Sequence, residues 1–339
     1  MTLHAPFPYF GGKRGVVADV WKRLGRPKQY IEPFCGSAAM LLAAHRPASL
    51  EVIGDMNGFI ANFWRAVKHD PAAVAHAADY PMSHIDLGAR HKWLMEQRGR
   101  LNDNLQDADW PGCAKSAGWW LWGQCAWIGS GWCEWDKDDA PGIGNGQVPH
   151  MSNAGHGIQA IGKVPHVSNA GRGVQAIGKV PHVSDAGRGV QAIGKVPHVS
   201  NAGQGGMLTS SGRVAWEWLH KLAARLERVR VIHGDWSRCL NHHYGDTDTA
   251  VFLDPPYRQY ESLYGSATPV ADAVADWARE HGHLRIALCG HRGDYDMPGW
   301  SVDEWKRKRH TYSGTGTTDQ EAIWYSPACQ PSDQFGRLL

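Results

Sequence analysis

Apolar positions along this chain keep one rhythm at both ends and lose it in the middle. Gln29 to Glu32 forms a short strand-like run that stops at Pro33-Phe34-Cys35-Gly36. Ser37 then offers an N-cap for an Ala- and Leu-rich helix from Ala38 to about His45. Leu50 to Ile53 predicts a second strand ending at Gly54-Asp55, and Asn57 to Lys68 an amphipathic helix. After Gly212 the alternation resumes. Val214 to Glu227 has helical spacing, and Val229 to His233 reads as a strand closed by Gly234-Asp235. Ala250 to Leu253 is an apolar run of buried-strand type, followed by a helix from Ala271 to Glu280 and strands at Leu284 to Leu288 and Glu321 to Tyr325. Strand and helix in alternation predict a parallel sheet with crossover helices. The chain thus reads as one α/β domain, residues 1–84 and 213–339, interrupted by an insertion over 85–212.

The insertion has its own character. Ile85 to Asn104 predicts a polar helix, and seven of the seventeen tryptophans follow between Trp110 and Trp135. Their first explanation is helix packing in a small second core; stacking on nucleic acid is the minority reading. An internal repeat comes next. VPHMSNAGHGIQAIGK (148–163) recurs almost unchanged at 164–179 and 180–195, with a partial copy from Val196, so repeats occupy 148–206. A period of 16 residues with Pro and Asn-Ala-Gly turn signals in each copy fits stacked units or an exposed arm. His150, His166, His182 and His198 recur in register, but without cysteines or acids beside them they read as duplicated turn residues rather than metal ligands.

Bulk composition changes this picture little. The content is that of a soluble globular protein, no apolar run is long enough to span a bilayer, and the N-terminus lacks signal-peptide character. The seven cysteines are scattered with no Cys-x-x-Cys pair, which points to a reducing cytoplasm and to neither a disulfide framework nor a zinc site. Net charge is only +2, yet residues 148–203 alone carry +4, and Lys306-Arg307-Lys308-Arg309-His310 is a second basic run. The second run also reads as a solvated strand end, and positive charge is thus local, as expected if only part of the surface meets phosphates.

The candidate chemistry sits at strand ends in the α/β part. Asp254-Pro255-Pro256-Tyr257 closes the strand ending at Leu253. Proline stops the ladder and stiffens the loop, Asp254 accepts hydrogens from an amino group, the Pro255 carbonyl lacks a strand partner, and Tyr257 offers a flat face. Such a loop suits an exocyclic amine on a planar ring. Pro8-Tyr9-Phe10-Gly11-Gly12-Lys13 is a glycine loop, Glu32 to Ser37 is a strand-to-helix turn, and Asp55 and Asp235 end two further strands. An acid at the strand after a glycine turn is how nucleotide folds hold ribose hydroxyls. No phosphate-binding Gly-x-x-x-x-Gly-Lys-Ser/Thr is present, which argues against nucleotide hydrolysis. A glycine-turn cofactor site joined to an amine-holding loop suggests S-adenosyl-L-methionine and methyl transfer.

With these motifs in the order PYFGGK, EPFCGS, insertion and LDPPY, the chain resembles Dam-like, alpha-group N6-adenine DNA methyltransferases. The resemblance covers residues 5–80 and 213–328, and GHRGDYDMPGW and EAIWYSP are similar to phage or prophage members. It implies a Rossmann-like S-adenosylmethionine-dependent sheet with a largely helical, repeat-bearing insertion that recognises the target in double-stranded DNA. It implies cofactor contacts from Tyr9 and Lys13, with Gly11 and Gly12 shaping their loop, from Phe34 and Gly36 beneath the methionine moiety, from Asp55 to the ribose, and from Asp235 and Asp254. Asp254, Pro255, Pro256 and Tyr257 would form the catalytic loop, with no metal. The family turn carries a second glycine where this chain has Ala38, which predicts weaker cofactor binding. Two rivals remain at this level: an enzyme methylating cytosine N4 or RNA, and a catalytically silent DNA-binding relative.

Overall fold

The computed structural model describes residues 3–7, 13, 15–80, 83–127, 132–133, 210–240, 248–256, 270–306 and 320–331. Tyr9, Gly11, Gly12, Tyr257 and the repeats at 148–206 lie outside the described residues. Two compact units divide the chain, one of Met1–Ala5, Tyr9–Ala61 and Arg225–Leu339, the other of Pro6–Pro8 and Asn62–Ala224.

The first unit is built on a seven-stranded sheet. Its strands are β1 (Gln29–Glu32), β2 (Leu50–Asp55), β3 (Val229–His233), β4 (Thr249–Leu253), β5 (Arg285–His291), β6 (Ser301–Lys306) and β7 (Gln320–Tyr325). They lie in the order β3-β2-β1-β4-β5-β7-β6. The first five are parallel; β7 runs antiparallel between β5 and β6. All five residues of β4 are buried, the continuous apolar run required of a parallel strand covered on both faces. Val251, Leu253, Ile286 and Leu288 meet Ala271, Val274, Ala275 and Ala278 in the core; these three alanines and one valine come from a helix over Val270–Glu280. The chain leaves β1 toward β2 and β3, then returns to the other side of β1 as β4. The carboxyl ends of β1 and β4 thus flank the point where the strand order reverses, the place where ligands of open α/β sheets bind.

The helices of the amino-terminal half are α1 (Val17–Leu24), α2 (Ala39–Ala43), α3 (Gly58–His69), α4 (Pro71–Ala78), α5 (His84–Asn104) and α6 (Ala114–Ala126). Helix α2 is too short to persist on its own propensity. Neighbours hold it through both backbone groups of Leu41. Glu32 Oε2 accepts the Leu41 amide at 3.1 Å. Arg225 Nη2 donates to the Leu41 carbonyl at 3.0 Å while its guanidinium grips Glu51 with both nitrogens, at 2.5 and 2.7 Å. The expected Ser37 cap is not formed: α2 begins one residue later, Ala38 occupies the cap position, and the carboxyl of Glu32 does the capping.

The long stretch of the second unit runs from Asn62, within α3, to Ala224. Helix α4 packs along α6 so closely that a Cβ at Gly118 would stand 2.7 Å from the Val74 carbonyl oxygen. Pro71 sits in the first turn of α4, with the Asp70 side chain capping it, and Ser83 caps α5. Phe7, Phe63, Trp64 and Trp120 form an edge-to-face cluster, and the indole N–H groups of Trp122 and Trp132 donate to the carbonyls of Tyr80 and Trp120. Trp120, Trp122 and Trp132 are therefore core residues. Trp93 and Trp119 are half-buried under the Lys115 ammonium, which lies 4.4 and 4.5 Å from the two ring centroids. No helix among the described residues is long and apolar enough to cross a membrane.

Candidate active site

The turn after β1 is fastened to the end of β2. The Cys35 amide donates to the Gly54 carbonyl at 2.9 Å, and the Gly36 amide donates to Asp55 Oδ2, also at 2.9 Å. Asp55 Oδ1 accepts the Asn57 amide at 2.9 Å, and Asn57 Oδ1 accepts the Phe59 amide, starting α3. Burial pushes the Asp55 carboxyl up to about 6, against the two backbone donors that pull it down. Each carboxylate oxygen has capacity for a second hydrogen bond.

Gly36 has φ 45° and Ala38 φ 50°, so two left-handed residues lie within this short turn. Only one of them is glycine. Placing alanine there costs about 1–2 kcal/mol. Glycine would relieve that but lose about 0.5–1 kcal/mol in backbone entropy and roughly another 0.8 kcal/mol of methyl burial, since Ala38 is fully buried. The terms nearly cancel. Ala38→Gly is therefore expected to leave stability within about 1 kcal/mol of the parent. Ala38→Val, β-branched at a left-handed buried position, is expected to cost on the order of 3 kcal/mol. Thermal unfolding of the two variants checks this, and equal losses would contradict it.

Glu32, the last residue of β1, is buried, and its Oε2 also accepts the Tyr30 hydroxyl at 3.0 Å. Burial raises its pKa from 4.5 to about 8, outweighing the Tyr30 and Leu41 donors. The native state thus holds a proton that the unfolded chain releases. This stabilising contribution is complete below pH 4.5 and is lost as pH rises through about 8. Glu32→Gln, neutral at every pH, is expected to flatten the fall in melting temperature across that window. An unchanged pH dependence would refute the assignment.

Beside this turn, β4 runs into Asp254, followed by Pro255 and Pro256. Asp254 Oδ1 lies 2.9 Å from Lys13 Nζ, and Glu321 Oε2 of β7 lies 3.9 Å from the same ammonium. Burial works to lower the Lys13 pKa; the carboxylates of Asp254 and, behind it, Glu321 more than offset this, so the ammonium is held charged above its ordinary value. Burial, reinforced by Asp254, drives the Cys289 thiol well up and keeps it neutral.

The end of β3 adds a third element. The Gly234 amide donates to the Asp55 carbonyl at 3.1 Å, and Gly234 has φ 118°. Asp235 Oδ1 accepts the Ser237 amide and hydroxyl, at 3.0 and 2.5 Å, starting a 3-10 turn over Trp236–Leu240. This turn presses so close to β2 that a Cβ at Gly54 would meet Cys239 Sγ at 2.2 Å. The half-buried rings of Phe34 and Trp236 lie nearly parallel, 22° apart in plane and 6.5 Å between centroids. Phe34, Gly36 and Asp55 therefore cluster with the β3 turn, and Lys13 sits on Asp254. Sequence reasoning had no role for Glu32, Trp236 or Glu321. Trp236 adjoins an acid already singled out and Glu32 ends a predicted strand, so both had a signal. Glu321 had none.

Residues 9–109 match the family model described as D12 class N6 adenine-specific DNA methyltransferase. Over those residues the chain is similar to this family. The match takes in the β1 turn and Asp55 and ends before Asp254. No curated protein matches the chain significantly. The protein is accordingly an adenine-specific DNA methyltransferase, which moves a methyl group from S-adenosylmethionine to N6 of adenine in DNA. The methyltransferase's β1–β2 turn fits that cofactor on donor chemistry: Asp55 is anchored by two backbone amides and retains lone pairs for a pair of hydroxyls.

Proposed function

We propose that this methyltransferase acts at a specific sequence in double-stranded DNA, on an adenine turned out of the duplex toward the carboxyl ends of β1 and β4. The observation that carries the reading is the position of Asp254, at the carboxyl end of a buried parallel strand where the strand order reverses, next to the Asp55-anchored turn. Phe34, Gly36, Asp55 and Asp235 would hold the cofactor, joined from the sequence by Tyr9, Gly11, Gly12 and Lys13. Bound S-adenosylmethionine supplies an electrophilic methyl group. The chain's own part is to orient the nucleophile. Turning the base out costs a few kcal/mol, offset by the pocket. Asp254 and the Pro255 carbonyl accept the two N6 hydrogens, which localises the nitrogen lone pair and aims it. Pro256 stiffens the loop, Tyr257 stacks on the ring, and the proton shed after transfer leaves through the Asp254 carboxylate to water.

The insertion, with +4 charge over 148–203, would add phosphate contacts and sequence choice. Mapping methylated adenines in plasmid DNA exposed to the full chain, and to one lacking residues 164–195, tests this. Methylation confined to one recurring sequence, with the site choice or salt dependence altered by the deletion, is expected. Methyl groups scattered over unrelated adenines would contradict site specificity. At the mapped position, 2-aminopurine fluorescence should rise on binding; an unchanged signal would contradict base flipping.

A further inference from the structure

Behind the amine-holding carboxylate lies a second acid that the reaction as read above does not use. Glu321 projects from β7, the antiparallel strand, opposite His291 at the end of β5. Its side chain is 5 % exposed and that of Lys13 4 %, whereas that of Asp254 is 20 % exposed. A donor arriving from solvent therefore meets Asp254 first, with Lys13 and Glu321 both buried deeper. A buried carboxylate is costly unless it is paired. One lysine suffices to pair one aspartate, so a second buried acid at the same cation calls for a reason.

The two roles of Asp254 supply it. Lys13 donates to Asp254 at 2.9 Å, and the target amine must donate to the same carboxylate. With only Asp254 for a partner, the ammonium would compete with the amine and misalign it. We propose that Glu321 is a positioning residue which shares the charge of Lys13, so that the ammonium can lean away from Asp254 when the adenine amine docks, without losing a buried counter-charge. The move is from a contact at 2.9 Å toward one now at 3.9 Å. No bond is made or broken and no proton changes hands. The proposal rests on the reading of Asp254 as the amine acceptor.

A double-mutant cycle of Asp254→Ala and Glu321→Gln, read by melting temperature, tests the sharing independently of activity. With Asp254 gone, Glu321 bears more of the Lys13 counter-charge. Glu321→Gln is then expected to lower the melting temperature by about 3 °C more than it does in the parent chain. In the parent chain, Glu321→Gln is expected to lower kcat on the order of tenfold to a hundredfold. Glu321→Asp, which keeps the charge and is the milder change if the glutamine variant folds poorly, is expected to recover part of that loss. Additive melting shifts would overturn the proposal whatever happens to the rate, and so would an unchanged kcat. Wild-type transfer by Asp254→Ala would instead overturn the reading of the loop on which it rests.

Discussion

Asp254→Ala is expected to slow methyl transfer by on the order of 10²- to 10³-fold, the usual cost of removing one aligned acceptor or donor from reacting atoms. The carboxylate stands at the end of a strand whose five residues are all buried, so its position is set by the core rather than by the loop. Alanine removes both acceptor oxygens and leaves the amine free to rotate and to spread its lone pair into the ring. Asp254→Asn keeps one acceptor oxygen of the same shape and is expected to fall between alanine and the parent. The fold should tolerate both, since Lys13 retains Glu321 at 3.9 Å. Single-turnover transfer of a labelled methyl group to duplex DNA measures the effect. Alanine and asparagine variants of equal rate would show that acceptance of the amine hydrogens is not what Asp254 contributes.

Asp55→Ala is expected to raise the S-adenosylmethionine dissociation constant on the order of tenfold to a hundredfold, measured by calorimetry. Two losses combine. The Gly36 and Asn57 amides lose their acceptors, at about 1–3 kcal/mol for each one left without a partner. The acceptor for a hydroxyl pair disappears with them. Asp55→Asn should do little better, because both oxygens already face backbone N–H groups and an amide must point its NH₂ at one of them. An asparagine variant that binds like the parent would show that the carboxylate is not holding the turn. A turn loosened in this way also loses the closure of Gly36 onto β2, so slower transfer is expected even at saturating cofactor.

The elements legible in the sequence were those bounded by strong punctuation. Gln29–Glu32 ends at a proline and Val229–His233 at a glycine, and both strands occupy those residues. The parallel sheet followed from their alternation with helices. What escaped was structure whose signal is weak or distant. Strand β6 carries exposed Ser301, Val302, Asp303 and Glu304, so its edge position leaves hardly any apolar alternation to read. Helix α4, with Pro71 at its start and three buried residues, is defined by packing on α6 more than by its own period. The Ser37 cap failed because the better acceptor, Glu32, lies five residues upstream and reaches the helix only once the turn has folded back.

The candidate site divides along the same line. Asp254, Asp55 and the β1 turn could be singled out because strand ends in such sheets gather ligands, and the fold sets them at the carboxyl ends of three adjacent parallel strands. Ala38 stands at φ 50°, the left-handed conformation a glycine would take, at a conformational cost that its own burial offsets. Glu321 could not be found from sequence, since it meets Lys13 only through the insertion of β7 between β5 and β6.

The most direct test is mass spectrometry of nucleosides from unmethylated plasmid DNA incubated with S-adenosylmethionine and either the parent chain or Asp254→Ala. The account predicts N6-methyladenine with the parent and its near-absence with the variant. Methyl groups found on cytosine N4, or N6-methyladenine in equal amounts from both proteins, would contradict it.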